Sequence, residues 1–377
     1  MDSLEQFESA LRPIVAEAER DAIAQCWIVR LAANRPPWTP SGIELSAGDR
    51  VSVFSAGRAS IAAAPEIWVG SHCALWMRVG IAGEIFRTPG RSYTFTAQSG
   101  GELYLCNLFP GDWADRHGAL ATDPRAYDRI AGTIAVLVVR WKAGPQAGLE
   151  RLAAGASAGA AIMRAEAERL KHPALTPAGW HYMWSIGDSG VFDSGRGVRG
   201  EPIIRCRVND DATILQRPVH LKFNDSVRLR WSWKIDALPA SEREDAVPTH
   251  DYLSIAVEFD NGQDLTYMWS AAMTPESSFR CPIPRWSKRE THMVVRSGKE
   301  RLGERVSEER GVWDDYRRAI GTQPANIVAV WLIAVSVFTH TDSYCEFSDI
   351  ELAADNQTIP LIAPPVSGRE HDHSSSP

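Results

Sequence analysis

The chain has 377 residues, 44% hydrophobic and 23% charged, which is typical of a globular protein with material for two cores. Its formal charge is −7 without any basic cluster, and this argues against a nucleic-acid partner. No apolar run approaches the ~20 residues of a membrane-spanning helix, and the first residues lack the order of a signal peptide. We therefore expect a cytoplasmic protein without a membrane partner.

The six cysteines are scattered, and none belongs to a CxxC or CxxH pair. This distribution argues against a zinc site and against a disulfide framework, and it is typical of buried thiols in a reducing compartment. The sequence therefore predicts no metal ligands.

Residues 1–35 are predicted to form an N-terminal helix. Leu4, Phe7 and Leu11 begin an apolar series at helical spacing, which continues to Ala22 and Cys26. The two prolines of the segment 33–37 end this helix.

Residues 36–142 are predicted to form an antiparallel β-sandwich. Glycines act as turn signals, Val51, Val53 and Ser55 alternate between them, and the segment ends in the apolar strand TIAVLVVRW. The motifs GEIFRTPGRSYTF and GELYLCNLFPG, with the order of turns and strands, resemble the calcium-dependent galactose-binding lectins of the bacterial PA-I type. The resemblance covers roughly a hundred residues and implies a lectin-like sandwich.

In those lectins a calcium ion lies between two loops and also binds hydroxyls of the sugar. The resemblance places Leu108 at the position of a ligand aspartate, and it places Asp115 and Arg116 at the positions of paired asparagines. Asp112 and Ile61 stand where backbone carbonyls bind the ion. A guanidinium is a poor neighbour for a divalent cation, which needs a shell of oxygen ligands.

We therefore predict no cofactor, although calcium remains an alternative if a one-residue shift makes Asn107 a ligand. A lectin-like module kept only for packing or oligomerisation is a further alternative.

Two predicted segments flank the second half. Residues 143–174 are rich in alanine and should form a helical connector that ends before Pro173. Residues 356–377 are predicted to be a flexible tail, in which His371 and His373 carry no specific role.

Residues 175–355 are predicted to form a second antiparallel sandwich of jelly-roll type. Strict alternation from Arg228 to Ile235 puts Trp231 and Trp233 on an apolar core face. The segment 252–259 alternates in the same way, and the turn 260–262 returns it as a hairpin. Each half is therefore expected to have its own core. The predicted fold class is mainly β, with two sandwiches, an N-terminal helix and a helical connector.

The ordered series LRWSWKIDALP, HDYLSIAVEFDNG, LTYMWS, MVVRSGKERLG and THTDSYCEFSDIEL resembles the bacterial domain-of-unknown-function family 3047. That resemblance implies a sandwich related in shape to carbohydrate-binding jelly rolls and no established activity. The chain departs from the family pattern at His250-Asp251, where paired aspartates are usual, and at His340-Thr341-Asp342, where a DTD-like segment is usual.

Histidine beside carboxylate is a common arrangement for acid-base chemistry. If the strands that carry them are neighbours, the groups could converge on one pocket. The candidate catalytic residues are His250, Asp251, Tyr252, Glu258, His340 and Asp342. Residues at strand ends also cap turns, and this structural role is the alternative for all of them.

An acidic series near the C-terminus comes close to the signature of sandwich glycosidases. Strict alternation puts Glu346 on the face opposite to Asp349 and Glu351 unless a bulge intervenes, so we predict no glycosidase of that type.

Aromatic rings and arginines complete the candidate ligand site. Large aromatic faces suit sugar rings or a polycyclic ligand, and arginines orient anionic or hydroxylated groups. The candidate ligand-binding residues are Trp269, Trp286, Trp313, Arg296 and Arg317, with Asp112, Asp115 and Arg116 in the first half. The sequence thus predicts a binding protein for a glycan or a glycosylated small metabolite, with a homo-oligomer possible. The alternatives are an enzyme for acid-base elimination, cyclisation or isomerisation in the second sandwich, and an assembly scaffold.

Overall fold

The first half of the chain combines a helix with a series of strands. A computed structural model describes residues 4–18, 22–355 and 357–362. The elements of the first half are α1 (Leu4–Ala18), β1 (Ile23–Ala32), β2 (Thr39–Leu45), β3 (Arg50–Ala63), β4 (Glu66–Gly70), α2 (Ser71–Ala74), β5 (Leu75–Val79), β6 (Phe86–Arg87), β7 (Ser92–Thr96), β8 (Gly101–Asn107) and β9 (Ala131–Trp141).

These strands form two sheets that face each other. One sheet has the order β1-β9-β3-β4 with β7 beside β3, and the other has the order β2-β8-β5-β6. The predicted helix 1–35 was too long, because β1 begins at Ile23 and pairs antiparallel with β9. The residues from Cys26 to Val29 are aromatic or β-branched, apart from the cysteine, and such residues favour a strand. The first sandwich therefore begins before residue 36.

The predicted connector 143–174 forms two helices, α3 (Pro145–Leu152) and α4 (Ala158–Lys171). Both pack with α1 on the outer face of the first sandwich, where Leu11, Leu149 and Met163 share a buried cluster with Leu137. None of the helices in the described residues is long and apolar enough to cross a membrane.

The second half contains a longer series of strands. Its elements are β10 (His181–Tyr182), β11 (Phe192–Arg196), β12 (Pro202–Asn209), β13 (Ala212–Lys222), β14 (Arg228–Ala237), β15 (Tyr252–Phe259), β16 (Asp264–Ser270), β17 (Ser278–Arg280), β18 (Glu290–Ser297), β19 (Arg305–Gly311), α5 (Val312–Ala319), β20 (Asn326–Val335), β21 (Asp342–Ala354) and β22 (Gln357–Pro360).

These strands also form two sheets. The inner sheet has the order β10-β13-β20-β15-β16-β18-β17, and the outer sheet has the order β11-β12-β21-β14-β19 with β22 beside β21. Among the described strands, only β16 and β18 pair in parallel. Trp231 and Trp233 are fully buried between the two sheets, as the alternation predicted.

The inner sheet is covered on both faces. Leu253 and Ile255 point into the core of the second sandwich, whereas Ala256 and Trp331 join a buried cluster with Val51 and other residues of the first sandwich. The expectation that each half has its own core is therefore incomplete, because one apolar cluster continues across the boundary.

The segment 356–377, predicted to be a flexible tail, is described only at residues 357–362. There β22 pairs with β21, and Leu361 is buried and accepts a hydrogen bond from the indole of Trp180. These residues belong to the second sandwich, so the prediction of a flexible tail was wrong for residues 357–362. His371 and His373 lie outside the described residues.

Candidate functional site

A cavity of about 690 Å³ lies between the two sandwiches. Residues of both halves form its walls, and most of them are apolar. The first half contributes Ile61, Val69, Cys73, Phe109, Pro110, Asp112, Ala121 and Thr122. The second half contributes Ile186, Ala212, Thr213, Ile214, Val247, His250, Tyr252, Ile283, Pro284, Arg285, Trp286, Lys288, Glu290, Ile333, Val335, Val337 and Phe338.

Polar residues of the inner sheet meet at one wall of this cavity. His250 precedes β15, Cys281 follows β17, and Glu290 and His292 lie on the same face of β18, two residues apart. The backbone NH of Cys281 donates to the carbonyl of Glu290, which holds the end of β17 beside β18. These four side chains, the inner cluster, are buried, and their ligand atoms all lie within 4.8 Å of one another.

Hydrogen bonds orient two members of the inner cluster. Nδ1 of His250 lies 2.6 Å from the carbonyl oxygen of Glu244, which can only accept, so Nδ1 carries the proton and Nε2 keeps its lone pair. The thiol of Cys281 lies 3.3 Å from that Nε2. The hydroxyl of Tyr252 donates to Oε1 of Glu290 at 2.8 Å, so the other carboxylate oxygen remains available.

Burial sets the protonation of the inner cluster. It lowers the pKa of His250 to about 4, so the imidazole is neutral at pH 7. Burial also acts to raise the pKa of Glu290, but interactions with the neighbouring His292 outweigh it and hold that pKa below its usual range. Burial and the charge of Glu290 raise the pKa of the Cys281 thiol.

His292 stands out within the inner cluster. Its side chain is fully buried, neither ring nitrogen has a hydrogen-bond partner, and its Nε2 lies 3.6 Å from Oε2 of Glu290. Phe279 stacks on the ring at 4.8 Å between centroids. A buried imidazole without partners costs free energy, because its lost hydration is not replaced.

Two more predicted catalytic residues, one just before β15 and one on it, have structural partners. Asp251 accepts hydrogen bonds from the backbone NH groups of Phe338 and Thr339 and from the Thr339 hydroxyl, although burial raises its pKa. Burial also raises the pKa of Glu258, which Arg289 opposes as an ion pair at 3.0 Å. Of the six predicted catalytic residues, only His250 and Tyr252 line the cavity, so the prediction identified part of the site.

His340 and Asp342 do not join the inner cluster. The ring of His340 stacks on Trp68 at 3.6 Å between centroids, and its Nδ1 lies 2.6 Å from a carboxylate oxygen of Asp210. Asp342 is exposed and accepts a hydrogen bond from Asn209. His340 therefore lies at the boundary with the first sandwich, and the two histidine-acid groups do not converge on one pocket.

The acidic series of β21 contains a bulge. Arg230 pairs with Glu351 while Ser232 pairs with Ser348, and Asp349 has a φ of 52°. The bulge returns Glu346 and Glu351 to one face, so the prediction of opposite faces, which was made for a strand without a bulge, does not apply. Both carboxylates are bound by arginines: Glu346 pairs with Arg305 and Glu351 with Arg230.

The predicted aromatic and cationic ligand residues are mostly not at the cavity. Trp269 is buried and its indole donates to the carbonyl of Gly298, and Trp313 packs against Phe223. Arg296 pairs with Glu308, and Arg317 is exposed and pairs with Asp314. Of this group only Trp286 lines the cavity.

In the loop that the lectin resemblance identifies with a calcium site, the carboxylates accept hydrogen bonds from other protein groups. Asp112 lines the cavity and accepts hydrogen bonds from the hydroxyls of Tyr127 and Thr122. Asp115 caps the backbone NH groups of His117 and Ala119.

The other members of that loop point elsewhere. Arg116 lies over the ring of Trp184, at 5.4 Å, and Leu108 is fully buried. Among the described residues, neither Asp112 nor Asp115 belongs to a group of three or more potential metal ligands.

Cys281, Glu290 and His292 were not predicted as site residues. They do not form a CxxC or CxxH pair, and strand pairing brings them together instead. The available signal was the pair Glu290 and His292 at spacing two, because such spacing puts both side chains on one face of a strand.

The chain matches one family model and is similar to several solved structures. No curated protein matches the sequence. Among solved structures, the EclA N-terminal domain, described as a PllA-like lectin, is 20% identical over 32% of this chain and 98% of that chain, with a TM-score of 0.24.

Two further solved structures are similar to larger parts of the chain. The xyloglucanase domain of NopAA, a type three effector from Sinorhizobium fredii, is 8% identical over 48% of this chain and 95% of that chain, with a TM-score of 0.29. The family 30 carbohydrate-binding module of a cellulosomal cellulase of Clostridium thermocellum is 10% identical over 44% of this chain and 93% of that chain, with a TM-score of 0.23.

Residues 194–351 match the family model described as "Protein of unknown function (DUF3047)", which confirms the resemblance of the second half.

Proposed function

We propose that the protein binds a small metabolite with a hydrophobic body and hydroxyl or sugar substituents in the cavity between its two sandwiches. The observation that supports this proposal is the cavity itself. Its volume of about 690 Å³ suits a small organic molecule, and its apolar walls carry a few converging polar groups.

The two kinds of wall would bind different parts of such a molecule. Ile214, Ile333 and Phe109 offer apolar surface to a hydrophobic body. Arg285 lies 3.7 Å from Asp112, and both line the cavity, so a donor and an acceptor are available together for hydroxyl groups. A glycosylated metabolite combines both features.

A fluorescent hydrophobic probe tests the cavity directly. Anilinonaphthalene sulfonate should bind the folded full chain at one saturable site. Ala121→Trp, at an exposed position that lines the cavity, should weaken this binding at least tenfold by filling the space. Ala119→Trp, also exposed but outside the cavity, is the matched control and should leave binding unchanged. Equal binding by both variants would refute the proposal.

A pair of glycosides tests the nature of the ligand. 4-Methylumbelliferyl β-galactoside, which has an aromatic body, should displace the probe, whereas methyl β-galactoside should not. Displacement by the methyl glycoside at equal concentration would indicate recognition of the sugar alone and would contradict the hydrophobic component of the proposal.

A further inference from the structure

The inner cluster has the composition of a transition-metal site. It offers two imidazoles, a thiol and a carboxylate, all buried and all within 4.8 Å of one another. Nitrogen and sulfur ligands with one carboxylate are the donors that zinc prefers, whereas calcium and magnesium prefer oxygen ligands alone.

The distances between the ligand atoms fit a tetrahedral ion. With Zn–N and Zn–O of about 2.0 to 2.2 Å and Zn–S near 2.3 Å, neighbouring ligand atoms in a tetrahedron with one sulfur lie about 3.3 to 3.7 Å apart. Cys281 Sγ and His250 Nε2 are 3.3 Å apart, and His292 Nε2 and Glu290 Oε2 are 3.6 Å apart. The remaining pairs of ligand atoms lie within 4.8 Å of one another.

The surrounding hydrogen bonds have the form expected around metal ligands. The carbonyl of Glu244 fixes the His250 tautomer that leaves Nε2 free, and Tyr252 holds one oxygen of Glu290 so that the other is free. His292 is buried with two unpartnered nitrogens, and a bound metal would satisfy one of them.

A Cys281 nucleophile activated by His250 explains the cluster less well. The thiol is buried and does not line the cavity. Reactive cysteines have the opposite setting, with exposure and positive neighbours.

We infer that His250, Cys281, Glu290 and His292 bind one zinc ion that joins β15, β17 and β18 at the wall of the cavity. Four protein ligands close the coordination shell, as in structural zinc sites. Binding of the metal replaces the Cys281 proton, which is released to solvent, and no oxidation or reduction takes place. The inference is independent of the proposed function, because metal binding is measured without an organic ligand.

Metal analysis of the full chain tests this inference. The protein is stripped with a chelator, reloaded with zinc chloride, dialysed and assayed by mass spectrometry of the metal. We expect one zinc per chain and a higher melting temperature after reloading. A folded chain that retains no zinc, with an unchanged melting temperature, would overturn the inference.

Variants identify the ligands. Cys281→Ala and His292→Gln should each weaken zinc affinity at least tenfold. Cys206→Ala removes another fully buried thiol that lies in the core of the second sandwich, and it should retain wild-type affinity. Equal affinity of Cys281→Ala and Cys206→Ala would place the metal elsewhere. Tyr252→Phe, which removes only the donor to Glu290, should weaken affinity roughly 10- to 100-fold.

Cobalt substitution keeps the test valid if a variant does not fold. Cobalt(II) bound to the wild-type chain should show a thiolate-to-metal charge-transfer band and the intense visible bands of a tetrahedral ion. Cys281→Ser should lose the charge-transfer band. A wild-type cobalt spectrum without that band would show that Cys281 is not a ligand and would refute the site.

Discussion

Arg87 and Asp211 form a buried ion pair across the boundary between the two sandwiches. Nη1 of Arg87 lies 3.0 Å from Oδ1 of Asp211, and the exposed fractions of the two side chains are 0% and 6%. Arg87 belongs to β6 and Asp211 precedes β13, so the pair joins the first half to the second. The same guanidinium also donates to the carbonyls of Ala212 and Asp188.

Loss of this arginine should destabilise the whole chain. Arg87→Ala leaves the carboxylate of Asp211 buried and uncompensated, which typically costs about 3 to 5 kcal/mol. Urea unfolding measures this cost. Arg125→Ala, which breaks an exposed pair with Asp123, is the control and should cost less than about 1 kcal/mol. Similar costs for both variants would show that Asp211 is compensated by other groups.

A fragment that begins at Leu175 should fold poorly by itself. Without the first sandwich it exposes the face of the inner sheet that carries Ala256, Met268, Trp331 and Ile333. We expect aggregation or a loss of cooperative unfolding, measured by light scattering and circular dichroism. Coexpression with residues 1–174 should restore a 1:1 complex. A monomeric fragment with one sharp transition would show that the shared cluster is dispensable.

Glu276 should make stability depend on acidic pH. Hydrogen bonds and ion pairs from Arg310 and Arg318 lower its pKa from 4.5 to about 2. Its folded-state pKa is below the unfolded one, so its contribution is present above about pH 4.5 and is lost as pH falls towards 2. The carboxylate is 50% exposed, and solvent screening reduces the contribution to about 1 kcal/mol.

Glu276→Gln tests this dependence. Its difference from wild type in unfolding free energy should be about 1 kcal/mol at pH 7 and should disappear near pH 2. Glu304→Gln removes another exposed carboxylate, beside Arg301, and is the control for the loss of one surface charge. A constant difference between wild type and Glu276→Gln at all pH values would contradict the role of ionisation.

Calcium should not stabilise the protein. In the lectin-like loop, Asp112 accepts a hydrogen bond from a hydroxyl group and Asp115 accepts hydrogen bonds from backbone NH groups. Nη1 of Arg285 also lies 3.7 Å from Oδ1 of Asp112, and this positive charge opposes a divalent cation. Addition of calcium chloride to metal-free protein should leave the melting temperature unchanged. A bound ion at a hundredfold excess over its dissociation constant would instead contribute about 2.7 kcal/mol, which is easily measured as a rise.

The sequence by itself determined the mainly β architecture and much of the side-chain orientation. Trp231 and Trp233 share a buried face because alternation along a strand has a period of two whatever surrounds it. The family resemblance of residues 194–351 also needed no coordinates. The bulge beside Asp349 interrupts this period of two, so strict alternation does not give the faces on which the side chains of β21 lie.

Only the tertiary structure decided which polar residues meet. His250, Cys281 and His292 come from separate segments, and their proximity follows from the pairing of β15, β16, β17 and β18, which no local pattern specifies. The first sandwich also covers one face of the inner sheet and encloses the cavity. Burial then lowers the pKa of His250 and raises that of Cys281, because the low-dielectric interior disfavours their charged forms.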